Sequence, residues 1–484
     1  MLVRAFLYVL AIVISVIVLA RIRSRSTRQG LLLAVSYALY VTWGWWFVIV
    51  LLASTLINFL IGQSLRRKRS PLTLWTGIAL NIALLSTFKY VPEIAHSSSI
   101  AWLQSFSRVA LPLGLSFWTF QAMSYLFDLY GGEDLDPSLL EFALYMTFFP
   151  IVISGPICRM PNMLPQFRSG ETPSGHDIWG GLSRVATGLM MMQFAQLLGR
   201  GINSGQGLNR GFDQMTQWTG LDVWCLAVGY GLQLFLDFAG YSHMAIGVAR
   251  MLGFTVPENF ALPFASITPS IFWTRWHMSL SFWIRDYVFM PLAMLSPAQW
   301  WWEFSLLMSM VIFGVWHKGT LLYLLFGCYQ GILLIGHRRV QATRKRFKPL
   351  MRKLAWGPAF SWFLTTALIA LGWIFFRANS LTQAFAMFRA VLTPASYGDR
   401  FLPSSLYLLV GVLAIGYALT VIVTSALDRY SSSDTNLRSE AITVLAQDRW
   451  IWIAPIYLFV SLAVLLLIYH LPQSGPGPFM YAGY

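Results

Sequence analysis

The sequence predicts an all-α polytopic membrane protein, and three observations carry that prediction. Of 484 residues, 57% are hydrophobic and only 11% charged, against about 25% charged in an ordinary soluble domain. Apolar runs of bilayer-spanning length, about 20 residues, recur from one end to the other. The formal charge of +15 is gathered beside those runs. Arg21, Arg23, Arg25 and Arg28 form one cluster, and Arg66, Arg67, Lys68 and Arg69 a second. The third holds Arg338, Arg339, Arg344, Lys345, Arg346, Lys348, Arg352 and Lys353. Basic clusters flanking apolar runs mark cytoplasmic loops, here near 21–28, 65–70 and 337–353. With no appended soluble domain, they argue against a nucleic-acid partner.

Taken in order, the first run, 5–20, has one arginine before it, four after it and no small-x-small cleavage site. It reads as a retained anchor with an extracytoplasmic N-terminus. Run 31–62 lies between two cytoplasmic clusters and must turn back on itself, with Gly44 the expected point, as two short helices or a re-entrant pair. Further spans fall near 72–91, 109–127, 138–155, 178–200, 221–241, 300–316, 319–336, 357–376, 403–426 and 450–470. Between the second and third clusters the crossings must be even in number. The clear spans there are odd in number, so residues 265–298 are expected to supply one more. Pro257, Pro263, Pro269, Pro291 and Pro297 predict broken helices in that region. The polar stretch 428–449 reads as a loop. One membrane domain over 1–484 is the simplest organisation, with its core motifs at about 110–380.

The segment WTRWHMSLSFWIRDYVF, Trp273–Phe289, sets charge among aromatic rings. On a continuous helix, Trp273, His277 and Ser281 share one stripe, and Arg275, Ser279, Phe282 and Asp286 another. Each charge here would cost about 2.5–3.5 kcal/mol facing lipid at mid-membrane, so the segment must face protein or a wet cavity. His317 and Lys318 interrupt the apolar run Ser305–Gly336, just after Trp316 and between Gly314 and Gly319. An imidazole suits proton transfer near neutral pH. An intramembrane histidine is as readily a hydrogen-bond partner between helices, and aromatic rings alone suit an interfacial belt. Asp237, inside another apolar run, is expected to accept hydrogen bonds from an arginine or tryptophan. Cys158, Cys225 and Cys328 have no metal-ligand spacing and read as packing residues. No metal site or tightly bound cofactor is expected. Without a phosphate loop, nucleophile elbow or HExxH motif, histidine is left as the candidate general base.

Several motifs resemble one family. They are LPLGLSFWTFQAMSYLFDLYGG (111–132), FFPIVISGPICRM (148–160), LDFAGYSHMAIGVARMLGFTVPENFALPF (236–264), FWTRWHMSLSFWIRDYVFMPL (272–292), FGVWHKGTLLYLLFG (313–327), GWIFFRANSL (372–381) and the terminal PFMYAGY. In this order the chain resembles the membrane-bound O-acyltransferases, in the bacterial branch of alginate O-acetyltransferases and teichoic-acid D-alanyl transfer proteins. It lies closer to the alginate type. The resemblance implies a ring of roughly eleven to fourteen tilted transmembrane and re-entrant helices around a thinned centre with funnels. It implies His317 as the catalytic residue and His277 as a second essential position. Arg275, Trp276, Asp286, Asp237, Trp316 and Lys318 are candidates for positioning substrate.

The implied donor is a cytoplasmic thioester, an acyl-CoA or an acyl carrier protein phosphopantetheine. The implied acceptors are hydroxyls of an exported polysaccharide or a partner protein outside, in the bacterial inner membrane. The implied partners, besides membrane lipid, are an SGNH-type extracytoplasmic transferase and the polysaccharide biosynthesis proteins. Lys318 stands where the family usually has glycine, and AMLSPAQWWWEF replaces a GGN-like loop. D-alanyl transfer to a teichoic-acid-like polymer, or a transporter or flippase, are the alternatives.

Overall fold

The computed structural model describes residues 2–97, 110–346 and 357–433, except 20, 23, 170, 203 and 204, with Gln104 and Val460 as single positions. The expected span 450–470, the polar stretch beyond Ser433, PFMYAGY, Lys348, Arg352 and Lys353 lie outside the described residues. Among the described residues there is no strand, and six helices are long and apolar enough to cross a membrane. The chain divides into two compact units, Met1–Val185 with Ala245–Glu258 and Ala186–Met244 with Asn259–Tyr484.

The first unit opens with α1 (Leu2–Leu19), α2 (Arg25–Val41), α3 (Trp45–Arg67) and α4 (Pro71–Lys89). The chain turns at Thr42–Gly44, where the two flanking basic clusters require it. With 23 residues, α3 is a full-length span rather than a short helix. Asn58 and Asn81 join α3 to α4 through their buried amides, 2.7 Å apart. Such a bond is favoured in lipid, where neither amide finds water. α5 (Val91–Ser97) and α6 (Leu115–Gly131) follow.

The expected span at 138–155 is not formed. α7 (Leu139–Thr147) has nine residues, the chain then leaves helical geometry, and α8 (Met160–Ser169) returns. Arg168 at the end of α8 pairs with Glu141 at the start of α7, Nε to Oε1 3.0 Å. The segment therefore comes back to its starting level. Non-helical backbone is tolerated at membrane depth only inside protein, and residues 148–152 are buried. The Tyr145 hydroxyl donates to the Cys158 carbonyl (2.9 Å), and the Phe149 amide donates to Ser36 Oγ (3.1 Å).

α9 (Gly175–Arg200) and α11 (Gly220–Met251), with α10 (Leu208–Asp213) between them, each contribute to both units. α11 runs ten residues past the expected end at 241, so Asp237 and His243 are helical. Arg250 on α11 pairs with Asp177 on α9 (3.3 Å), which sets these two ends together.

The second unit contains the broken region. α12 (Pro269–Trp273), α13 (Met278–Ile284), a π-helical turn over Arg285–Phe289 and α14 (Met290–Ala293) are short pieces. The expected breaks are present, but the one at Thr274–His277 contains no proline. It removes the stripe that would have aligned Arg275 with Asp286, and Asp286 pairs instead with Arg285 (2.6 Å). α15 (Gln299–His317) and α16 (Leu321–Arg346) form a tight hairpin whose open ends are joined by Arg339 and Glu303 (3.0 Å). α17 (Pro358–Arg377), α18 (Leu381–Leu392) and α19 (Ser404–Ser433) complete the described residues. α19 continues into the stretch expected to be a loop.

Candidate active site

His317 is the last residue of α15, and Lys318 leaves the helix in an extended conformation. The run expected to be nearly unbroken is thus cut at the histidine. Its half-buried imidazole lies among Trp316, Phe376, Phe313 and Tyr323, with ring centroids at 4.6, 5.0, 5.1 and 6.4 Å. A Cβ on Gly314 would meet the Tyr323 carbonyl, and one on Gly327 would meet the Met310 carbonyl. These two glycines let α15 and α16 touch backbone to backbone, which fixes where α15 ends.

His277 caps α13 from a left-handed backbone at φ 43°, a conformation costing about 1–3 kcal/mol outside glycine. Asn259 holds it there. The Met278 amide donates to the Asn259 carbonyl (2.9 Å), Ser279 Oγ donates to Asn259 Oδ1 (2.6 Å), and Asn259 Nδ2 donates to Ser242 Oγ (3.0 Å). Asn259 is fully buried, so these bonds have no competition from water. The His277 ring is set edge-on to Phe238 at 4.5 Å and lies 6.3 Å from Trp316. Among the described residues its buried Nδ1 has no hydrogen-bond partner.

The indole of Trp316 therefore touches both imidazoles, and the two histidines predicted from sequence come together around it. Other candidates are placed elsewhere. Trp276 is packed into an aromatic cluster against Trp373 (5.0 Å) and, stacked, Phe272 (5.4 Å). Arg275 is half-buried and its carbonyl accepts from the Ala261 amide. Lys318 is exposed.

Asp237 is buried, and among the described residues its Oδ2 accepts no hydrogen bond. The expected direct bond from an arginine or tryptophan is absent there. Instead Asp237 lines a cavity of about 20 Å³ with Gln196, Arg200, Asn209 and Gln233, room for about one water. Sequence reasoning missed Asn259, Phe313 and Phe376. Their only available signal was membership in the motifs quoted above.

A larger cavity, about 240 Å³, lies between the broken segment and the α15–α16 hairpin. Its wall is mostly apolar and includes Trp273, Phe282, Met310 and Phe313, with Arg285 and Arg338 also lining it. The Arg338 guanidinium rests over the Trp302 ring at 3.5 Å. An apolar pocket carrying two guanidiniums suits an uncharged arm that ends in phosphate. Among the described residues no three His, Cys, Asp or Glu side chains gather as a metal site.

The profile of the membrane-bound O-acyltransferase family matches residues 89–375, which include both histidines. The probable alginate O-acetylase AlgI of Pseudomonas putida is 32% identical over 388 residues, 77% of this chain and 76% of that protein. The peptidoglycan O-acetyltransferase of Helicobacter pylori is 26% identical over 394 residues, 75% of this chain and 73% of that protein. The teichoic acid D-alanyltransferase of Bacillus subtilis is 30% identical over 267 residues, 53% of this chain and 65% of that protein. The profile spans more than half the chain and takes in the paired histidines, and the chain belongs to the membrane-bound O-acyltransferase family of multi-pass acyltransferases.

Proposed function

We propose that this chain moves an acetyl group from a cytoplasmic thioester to hydroxyls of an exported polysaccharide, with His317 as the general base. The observation that carries the reading is the sharing of Trp316 by His317 and His277, next to an apolar cavity bearing Arg285 and Arg338. In the step, the acceptor hydroxyl loses its proton to His317 as its oxygen bonds the acyl carbon. The carbon–sulfur bond breaks, and the proton passes from the imidazolium to the departing thiolate. Such proton transfer contributes typically about 10²–10⁴-fold.

His277, pinned by Asn259, holds the indole against the reacting imidazole. The donor is an acyl-CoA or an acyl carrier protein, its phosphate near Arg285 and Arg338 and its thioester end towards Phe313. Arg338 belongs to a basic cluster, which supports a cytoplasmic donor side and, by the same rule, an N-terminus outside the inner membrane. The proposed partner outside the membrane is a separate transferase of the SGNH type. The alignment with the O-acetylases covers more of this chain than that with the D-alanyltransferase, which favours acetyl over D-alanyl.

The test is mass analysis of exported polysaccharide from cells carrying His317→Ala at normal membrane abundance. The expected result is loss of the acetyl ester increment, by about 10²-fold or more. Unchanged ester content would end the reading.

A further inference from the structure

We propose that Phe313 is the partition between the donor cavity and His317, deciding whether the thioester meets the acceptor hydroxyl or water; this rests on the acyl-transfer reading above. Phe313 stands one helical turn before His317 on α15, so their side chains are neighbours. Its buried ring lines the 240 Å³ cavity and lies 5.1 Å from the imidazole at 66°. Trp273, which lines the same cavity, meets the Phe313 ring edge-on at 4.9 Å. His317 is not among the residues lining that cavity. The cavity thus stops at two aromatic rings, and the histidine lies beyond them.

The backbone here is packed closely on α16, since a Cβ on Gly314 would meet the Tyr323 carbonyl. Each of the two rings lines the cavity on one side, and that side is where it has room to turn. Such a partition has a chemical purpose. An imidazole that deprotonates a sugar hydroxyl deprotonates water as well. With water as nucleophile, its oxygen bonds the acyl carbon, the carbon–sulfur bond breaks, and the products are the free acid and the thiol. Lys318 and Gly319, just past the histidine, are exposed, and a lysine at that position favours wet surroundings on the far side of the partition. An apolar ring that yields only to a seated donor keeps that water from the thioester.

The experiment uses the full chain in lipid nanodiscs, with acetyl-CoA and an acetylated acyl carrier protein as probes and no acceptor. Thiol release is compared for the parent, Phe313→Ala, Trp273→Ala and Phe313→Leu. Acceptor-free release is expected to rise about tenfold or more in the two alanine variants, and to stay within about twofold in the leucine variant, which keeps an apolar plug. A second measurement needs no knowledge of the donor. His317→Cys is reacted with a small methanethiosulfonate from the cytoplasmic side, with and without Phe313→Ala, against the parent chain as background. Modification is expected to be about tenfold faster when the ring is absent.

Unchanged labelling, or unchanged thiol release in alanine variants that still acetylate polymer in cells, overturns the partition while leaving the transfer reading intact. A parent chain that acetylates no polymer in cells overturns the transfer reading and this inference together.

Discussion

Asn259 governs His277 through hydrogen bonds at both ends of its side chain. Its Oδ1 accepts from Ser279 and its Nδ2 donates to Ser242, while its carbonyl accepts from Met278. Asn259→Ala removes the two side-chain bonds from a buried site, at a cost of about 1–3 kcal/mol. The detergent-solubilised variant is expected to melt lower and to lose transfer activity. His277→Asn separates fold from chemistry, since asparagine tolerates the left-handed backbone better than most residues. That variant is expected to keep the parent melting temperature while its transfer falls by up to about 10²-fold, as the indole loses its support. A melting temperature that fell with activity would assign His277 a packing role. The two histidines were legible in the sequence because an ionisable group in an apolar run is costly. Asn259 was not, because the turn it pins becomes visible only once Met278 and Ser279 are seen reaching back to it.

Elements were legible where apolar length decided them and illegible where a buried bond overrode it. α1, α3, α4, α15 and α17 fall near their expected runs. The run at 138–155 is equally apolar, yet it breaks after Thr147, where the buried Phe149 amide donates to Ser36 Oγ and the Tyr145 hydroxyl donates to the Cys158 carbonyl just beyond the run. Glu141 anchors the start of this re-entrant piece. Burial alone would push its carboxyl up, but hydrogen bonds from Arg168, the Ser138 amide and Arg25, together with the charge of Arg168, outweigh burial and hold it at about 2 against an ordinary 4.5.

A folded value below the unfolded one contributes stability that is complete above about pH 4.5 and is lost as pH falls through about 2. Glu141→Gln is expected to lower stability by about 1–3 kcal/mol at neutral pH. It should also flatten the decline between pH 4.5 and 2, read by melting temperature across that range. A variant with the parent's acid profile would remove Glu141 from this role. In the α15–α16 hairpin, Gly327→Ala pushes a methyl into the Met310 carbonyl. Its expected cost is about 1–3 kcal/mol, with His317 displaced and activity lower.

At the scale of the whole molecule, paired ends change the count of crossings. Arg168 with Glu141 closes the segment 139–169 on itself, and Arg250 with Asp177 closes α9 and α11. Arg339 with Glu303 closes α15 and α16 in the same way. With 139–169 counted as re-entrant, the remaining apolar runs between the basic clusters at 66–69 and 338–353 are even in number without residues 263–293. Counted as a span, the apolar run at 138–155 makes the total odd, and parity then forces a further crossing onto the broken segment. On the even count the broken segment is expected to enter and leave on one side. Single cysteines at Asp134, Thr172 and Leu295, all exposed, are therefore expected to react with an impermeant maleimide only from the cytoplasmic face. Asp399, exposed and one crossing further on beyond α17, is expected to react only from the opposite face. Labelling of Asp134 and Thr172 from opposite faces would restore the crossing at 138–155, and labelling of Leu295 from outside would restore the one at 265–298.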